Sequence, residues 1–408
     1  MWTAIYSRFS APKVRLRFTC VGCNARRLPY NVAVTRTTHP LEDGFRWEEF
    51  LRRPPIETDP LLAARVNSCR RILLTGAGGS IGSALSKSIL SSKPELLVLL
   101  DHSDQNLYQI HREIASHSQD AACIPILGDI CDESLVGEIF AKHRPEIVYH
   151  AAAFKHVPLM EANPIAAVWN NAIGTFKIAN AALEHGSARM ILISTDKAVN
   201  PRSVMGASKR VAELIMVAMS DGGTWMGAVR LGNVLGSQGS VVPLFLEQIQ
   251  RDEPLTVTHP EVRRFFLTLA ETVGLILEAG SMEGAGGVFV PQLENSFKIV
   301  DLVQFVIAHS GVAPSDGTSL IFTGLRPGDK IEEALVSRDE TTEEIPGCAL
   351  RRVRTPARPR EALKASITQM IESVRQRDLS AILEALCKIV PEYEPSESLL
   401  GLVNHSSV

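Results

Sequence analysis

The chain has 408 residues, 45% of them hydrophobic, enough to bury one large core with appendages. A formal net charge of −3 leaves no overall basic field to hold a polyanion, which excludes nucleic acid as an expected partner. The seven cysteines, Cys20, Cys23, Cys69, Cys123, Cys131, Cys348 and Cys387, are odd in number and scattered, a pattern of reduced cytoplasmic thiols rather than of a disulfide framework.

No acid precedes Glu42, whereas Arg8, Lys13, Arg15, Arg17, Arg26, Arg27 and Arg36 do. This leader has the composition of an organelle transit peptide, with a disordered tail or an early start codon as the favoured alternatives. Cys20-Val21-Gly22-Cys23 lies inside it. With no second Cys or His pair at a usable spacing, no metal site is expected. Apolar runs such as Ile72-Leu73-Leu74 and Leu96-Leu97-Val98-Leu99-Leu100 fall far short of the roughly 20 residues that cross a bilayer as a helix. No transmembrane segment is expected. The localisation reading is cytoplasmic, with peripheral contact at the inner face of the membrane as a further expectation.

From Arg70 to Leu231 short apolar runs alternate with longer helical patterns, which predicts a parallel sheet wrapped by helices. The predicted strands are Arg71 to Leu74, Leu96 to Leu100, Cys123 to Leu127, Glu146 to His150, Arg189 to Ser194 and Met226 to Leu231. They are apolar at successive positions, as strands covered on both faces must be. Helices are predicted at Ile81 to Leu90, Gln105 to Ala115, Pro164 to Glu184 and Val204 to Met219. After Gly232 the pattern is broken by Gly236, Gly239, Pro243, Pro254 and Pro260, which reads as a smaller lobe closing over the carboxyl ends of the strands. Glu340 to Arg360, charged and carrying Pro346, Pro356 and Pro359, reads as an extended surface connection before one last amphipathic helix over Arg360 to Leu386.

Thr75-Gly76-Ala77-Gly78-Gly79-Ser80-Ile81-Gly82 sets Gly76, Gly79 and Gly82 three residues apart between a predicted strand and a predicted helix. A dinucleotide pyrophosphate needs backbone N–H groups approaching closely at a helix N-terminus, and side chains there would block it. Asp101 ends the second strand, about twenty residues further on, where an acid accepts from both adenosine ribose hydroxyls and repels a 2′-phosphate. NAD is therefore expected rather than NADP. Asp101 could equally cap the helix that begins nearby. Asp129, followed by Ile130, is placed to reach the adenine or simply to form a turn after Gly128.

The segment His150-Ala151-Ala152-Ala153-Phe154-Lys155-His156-Val157-Pro158-Leu159-Met160-Glu161 resembles the polysaccharide-biosynthesis (CapD-like) nucleotide-sugar dehydratases, of the extended short-chain dehydrogenase type. Four more segments extend the likeness: Ser194-Thr195-Asp196-Lys197-Ala198-Val199-Asn200-Pro201, Val204-Met205-Gly206-Ala207-Ser208-Lys209, Arg230-Leu231-Gly232-Asn233-Val234-Leu235-Gly236-Ser237 and Gly324-Leu325-Arg326-Pro327-Gly328-Asp329-Lys330. Together they run from about Phe45 to Glu394. The resemblance implies an α/β fold, a Rossmann-type doubly wound parallel sheet with a smaller C-terminal substrate lobe. The domain reading is a basic leader at 1–44, a lead-in at 45–69, an NAD-binding domain at 70–231, mainly substrate lobe at 232–339 and a C-terminal extension with a helix at 340–408. Many relatives carry membrane helices and a second nucleotide-binding-like domain ahead of this region, and neither is expected within these 408 residues. The chain also carries Phe265-Phe266-Leu267-Thr268-Leu269-Ala270 where Tyr, Met and Pro are commoner, and Asp329 in place of Glu.

The implied activity is dehydration of a UDP-linked amino sugar, UDP-N-acetylglucosamine, by a homo-oligomer with NAD. Hydride leaves C4′, the C5′ proton and C6′ hydroxyl depart, and the hydride returns to C6′. Short-chain dehydrogenases usually place a Tyr base four residues before a Lys, but here Met205 precedes Lys209, and a thioether carries no proton. One branch of the family shares this Met and depends on Thr-Asp-Lys. By that likeness Lys197 is the C5′ base, Asp196 the acid for the C6′ oxygen and Thr195 a partner of the C4′ oxygen, while Lys209 contacts the nicotinamide ribose. A structural ion pair between Asp196 and Lys197 is the alternative. Ser80, Ile81, Ala151 and Ala152 complete the implied cofactor lining. Asn233, Arg264 and Arg326 are implied for the UDP moiety, with Lys155 and His156 near the sugar. Arg263 and Arg264 cannot both point the same way. Asn171 either holds a group near the site or bridges two helices. Met160, Glu161 and Trp169 are assigned to packing. A UDP-sugar 4-epimerase and a catalytically silent NAD-binding sensor or scaffold are the competing readings.

Overall fold

The computed structural model describes residues 45–406 except 69, 118–121, 221–222, 311–318 and 356–357, together with the backbone of short strands at 13–15, 17–20 and 31–33. The fate of the leader and the pair ending at Cys23 therefore lie outside the described residues. Two compact units emerge, residues 56–238, 265–295 and 326–408 forming the larger, and residues 1–55, 239–264 and 296–325 the smaller.

The larger unit is built on nine strands: β1 (Arg71–Thr75), β2 (Leu96–Asp101), β3 (Cys123–Leu127), β4 (Ile147–His150), β5 (Arg189–Thr195), β6 (Trp225–Leu231), β7 (Gly287–Pro291), β8 (Thr341–Glu344) and β9 (Leu350–Arg354). Their spatial order is β3-β2-β1-β4-β5-β6-β7-β9-β8. β1 to β7 pair in parallel, whereas β9 pairs antiparallel with both β7 and β8. Ile72 and Leu74 enter one apolar layer and Leu73 the other, as the two-residue period of a strand covered on both faces requires. The first layer holds helices Ser80–Ser91, Asp104–His117 and Leu269–Ser281, and the second holds Glu133–His143 and Val204–Met219. The strand order reverses across β1, between β2 and β4, and ligands of doubly wound sheets bind outside the carboxyl ends at such a switch point.

The six predicted strands appear within a residue or two of expectation, and Val204–Met219 has its predicted bounds, with the Ser203 hydroxyl accepting from the Gly206 N–H at its start. Three expectations are corrected. Pro164 to Glu184 is helical throughout, but residues Val168–Gly174 form a wider π turn with Asn171 inside it. The segment after Glu340 is a two-stranded edge rather than a free connection; the side chains of β8 are all exposed, so no apolar alternation marks it. The last helix is two, Arg360–Arg375 and Leu379–Ile389, broken where Arg377 adopts φ +56° and Asp378 caps the Ala381 N–H at 3.0 Å.

In the smaller unit, strands Leu255–Val257 and Ser319–Phe322 pair in parallel and Arg263–Arg264 pairs antiparallel with Phe297–Lys298. Helices Val241–Gln250 and Ile299–His309 accompany them. Phe45, Trp47 and Phe50 gather around Phe305, which stacks on His309 at 4.2 Å between centroids, and Phe297 packs on Phe50. Among the described residues no helix is long and apolar enough to cross a membrane, and no cluster of ligating side chains could hold a metal.

Candidate active site

The turn after β1 is shaped by its own packing. Gly76 has φ +66°, and a Cβ there would lie 2.6 Å from the Ala152 nitrogen. At Gly78 a Cβ would meet Asn106 at 2.5 Å, and at Gly82 the Gly76 carbonyl at 2.0 Å. Gly79 differs, because its nearest neighbour would be 3.4 Å away, so the protein itself does not exclude a side chain there. The open side of Gly79 at the N-terminus of Ser80–Ser91 is the cradle that a pyrophosphate fits. Gly78 was not singled out by the three-residue spacing; its constraint comes from Asn106, distant in sequence.

Asp101 is buried, accepting from the Gly78 N–H at 2.8 Å through Oδ2 and from the Ser103 N–H at 2.9 Å through Oδ1. The carboxylate thus holds the glycine turn to β2, and each oxygen retains a lone pair for a further donor. Asp129 closes a turn by accepting from the Cys131 N–H at 2.8 Å through Oδ1, and Ile130 is buried against Gly174. Ala151 and Ala152 follow β4, tied to the main-chain oxygen and hydroxyl of Thr75.

Beneath the turn lies a side-chain relay unforeseen from the sequence. His150 is fully buried, with Nδ1 2.7 Å from Thr75 Oγ1 and Nε2 3.0 Å from Thr175 Oγ1. The Thr175 hydroxyl donates to the Asn171 carbonyl at 2.6 Å, so it must accept from Nε2–H, and Nδ1 must accept from Thr75. Burial, aided by the Lys209 charge, lowers the His150 pKa to about 3 and keeps the ring neutral. Asn171 accepts from the Phe154 N–H and donates to the Phe154 carbonyl and Ser208, bridging the strap after β4 to Val204–Met219.

At the carboxyl end of β5, Asp196 and Lys197 form a single helical turn with Ala198. Lys197 Nζ donates to Asp196 Oδ1 at 2.9 Å and to Asn233 Oδ1 at 3.0 Å, and Thr195 Oγ1 donates to the same Asp196 oxygen at 3.0 Å. Asp196 is fully buried, yet its Oδ2 has no hydrogen-bond partner among the described residues, while Lys197 is only partly covered. A buried carboxylate oxygen without a donor costs about 1–3 kcal/mol or more, an expense a bound hydroxyl would offset. Met205 and Lys209 lie one turn apart on Val204–Met219, both buried. Burial lowers the Lys209 pKa to about 8 against the opposing effect of Glu213. Gly206 lets this helix approach the Lys197 carbonyl, which a Cβ would meet at 2.3 Å.

Lys155 Nζ donates to the Gln238 carbonyl at 2.7 Å, and the Gln238 N–H donates to Ser80 Oγ at 3.0 Å; Ile81 follows in the first helical turn. His156 is exposed, its pKa lowered by partial burial, then by Lys155 and Arg326. Arg326 gives Nε and Nη2 to Asp329 at 2.8 and 3.4 Å, so Asp329 engages the guanidinium expected to face a diphosphate. Arg264 is buried in the smaller unit, where Arg263 turns instead to Ser296. The larger unit therefore gathers the glycine turn, Asp101, the alanines, the Asp196–Lys197 turn, Asn233 and Lys209, and Arg264 belongs to the other.

A seven-strand parallel array with the glycine turn at its switch point and an acid–amine pair two strands away belongs to the extended short-chain dehydrogenase/reductase class. Comparison narrows it. A family described as polysaccharide biosynthesis protein matches residues 72–353. The capsular polysaccharide biosynthesis protein CapD of Staphylococcus aureus is 43% identical over 296 residues, 72% of this chain and 49% of that protein. A UDP-N-acetylglucosamine 4,6-dehydratase (inverting) of Campylobacter jejuni is 34% identical over 67% of this chain and 79% of its own length, and a UDP-glucose 4-epimerase of Rickettsia felis is 33% identical over 66% and 79%. The crystal structure of Pen from Bacillus thuringiensis, 26% identical, superposes with a TM-score of 0.65 over 74% of this chain and 98% of that one. The chain belongs to the polysaccharide biosynthesis protein family, and it spans about half the length of the CapD protein it matches.

Proposed function

We propose that the protein removes water from UDP-N-acetylglucosamine to give a 4-keto-6-deoxy sugar for glycan assembly, with NAD held at the Gly76–Gly82 turn. The observation that carries this reading is the hydrogen-bonded set Thr195, Asp196, Lys197 and Asn233, with one buried Asp196 oxygen unpartnered, packed against the helix where Met205 stands in place of a phenol. When bound, NAD would supply the hydride chemistry, an acceptor for C4′ and a donor for C6′. Asp101 binds the adenosine ribose, and the Lys209 ammonium, which has no hydrogen-bond partner among the described residues, donates to the nicotinamide ribose.

Oxidation at C4′, whose hydroxyl proton is released to solvent, makes the C5′ hydrogen acidic; Lys197 removes it while Asp196 protonates the departing C6′ hydroxyl, and a solvent proton completes C5′ when the hydride is returned at C6′. The ion pair fits both duties. A net transfer of one proton from the Lys197 ammonium to the Asp196 carboxylate yields a neutral amine and a carboxylic acid, the two forms required, with Oδ2, unpartnered among the described residues, as the oxygen open to carry the proton. After Lys197 has gained the C5′ proton and Asp196 has lost one to the hydroxyl, the pair is again ammonium and carboxylate. Asn233 orients Lys197, and Thr195 binds the C4′ oxygen. Within the larger unit, Arg326, which keeps further N–H donors beyond those given to Asp329, and the Asn233 amide hold the UDP moiety, with Lys155 and His156 near the sugar.

A UDP-sugar 4-epimerase is the second reading, favoured by the Rickettsia felis relative. Incubating purified protein with NAD and UDP-N-acetylglucosamine separates the two by mass. Loss of one water, abolished in Lys197→Ala, is expected. An isobaric product would establish the epimerase, and no conversion of any UDP-sugar would leave a silent dinucleotide-binding protein.

A further inference from the structure

The family match ends at residue 353, yet residues beyond it are bonded to the framework of the proposed site. The connection from Ala198 to Val204 joins the Asp196–Lys197 turn to the helix of Met205 and Lys209, so its path fixes one against the other. Asn200 in this connection has φ +41°, the left-handed region that asparagine enters more readily than other non-glycine residues, so the chain turns sharply here. Three contacts hold this turn. Lys330 Nζ donates to the Val199 carbonyl at 2.9 Å, the Glu394 N–H donates to the Pro201 carbonyl at 3.1 Å, and Gly328 packs where a Cβ would meet Ser203 at 2.7 Å.

Glu161 is the hub. It is 5% exposed; Oε1 accepts the Val204 N–H at 2.7 Å, and Oε2 accepts the Ser396 hydroxyl at 2.5 Å. Val204 opens a 16-residue helix whose first amide donors have no partner within the helix. The carboxylate satisfies one of them, as Ser203 satisfies that of Gly206, and its charge suits the positive end of the helix. Ser396 also accepts from the Leu399 N–H at 3.2 Å, capping Glu397–Ser406, which anchors the far side of the bond. Displacement of the helix start cannot be absorbed locally, because Gly206 touches the Lys197 carbonyl.

We infer that Glu161 and Ser396 are positioning residues, through which the C-terminal segment holds the Met205–Lys209 helix in register with the Asp196–Lys197 turn. This inference rests on the dehydratase reading for its kinetic consequence but not for its structural one. Small errors in the placement of reacting groups cost roughly 10- to 100-fold in rate. The test compares Ser396→Ala, Glu161→Ala and Glu161→Gln in the full chain with NAD. In the alanine variants kcat should fall at least about tenfold with KM unchanged. Glu161→Gln should recover most of it, since an amide can accept from Val204 and donate to Ser396. Amide hydrogen exchange at residues 203–206 should quicken in Ser396→Ala, a variant that removes one hydroxyl and tolerates folding if Glu161→Ala does not. Unchanged kcat in both alanine variants, or unchanged exchange at 203–206, overturns the inference. If the wild-type protein dehydrates no UDP-sugar, the dehydratase reading fails, and the exchange result alone decides whether the clamp exists.

Discussion

Glu340→Gln tests the buried charge network that backs the Lys209 helix. Arg230 is fully buried and uses all five N–H donors: Nε and Nη2 reach Glu213 at 2.9 Å each, Nη2 and Nη1 reach Glu340 at 2.8 and 2.7 Å, and Nη1 also reaches the Leu335 carbonyl at 3.0 Å. Arg210 adds a bond to Glu213 at 3.0 Å and an ion pair with Glu340 at 3.1 Å. Although burial opposes it, the hydrogen bonds and charge of Arg230 and the charge of Arg210 bring the Glu340 pKa from 4.5 down to about 2. With a tenfold change in proton affinity worth about 1.4 kcal/mol, the pair contributes about 3 kcal/mol at neutral pH. Removing one partner of a buried ion pair costs about 3–5 kcal/mol, so two independent routes agree. The folded value lies below the unfolded one; the contribution is therefore whole above pH 4.5 and fades as pH falls toward about 2. Urea denaturation followed by tryptophan fluorescence should show Glu340→Gln about 3 kcal/mol less stable at pH 7, with the gap roughly halved by pH 3. A variant within about 0.5 kcal/mol of wild type at pH 7, or a gap that does not narrow in acid, refutes the reasoning.

The glycines of the turn should separate by role. Gly82→Ala, whose Cβ would meet a carbonyl at 2.0 Å, should lower stability by about 1–3 kcal/mol, measured by thermal denaturation. Gly79→Ala, with 3.4 Å of clearance, should leave stability nearly intact while weakening NAD binding at least about tenfold by calorimetry; equal affinity would remove the pyrophosphate from that site. Since the Lys209 pKa is about 8, its ammonium is lost as pH rises through that value. NAD affinity should fall above pH 8 in the wild type, and Lys209→Met should bind weakly with no such dependence.

Strands β1 to β6 were legible because both faces are covered, which forces continuous apolar runs such as Leu96 to Leu100. The glycine turn was legible because one constraint, close backbone approach, acts on neighbours in sequence. What escaped was set by distant partners. The pairing of Arg326 with Asp329 depends on a loop path, and the neutral state of His150 on two threonines from separate elements. Glu161 was assigned to packing, yet it bonds a serine 235 residues away, a relation no periodicity records. The edge strand β8 went unseen because Thr341-Thr342-Glu343-Glu344 buries nothing. Asp378 and the φ +56° of Arg377 end a helix in a stretch whose apolar pattern continues, so local backbone geometry overrode the longer periodicity.

The account turns on a hydride that leaves the sugar and returns to it. UDP-N-acetylglucosamine deuterated at C4′, incubated with the NAD-loaded protein in ordinary water, tests this directly by nuclear magnetic resonance of the product. Deuterium at C6′ of the product is the predicted result. A dehydrated sugar that retains deuterium at C4′, or carries none at C6′, would contradict it.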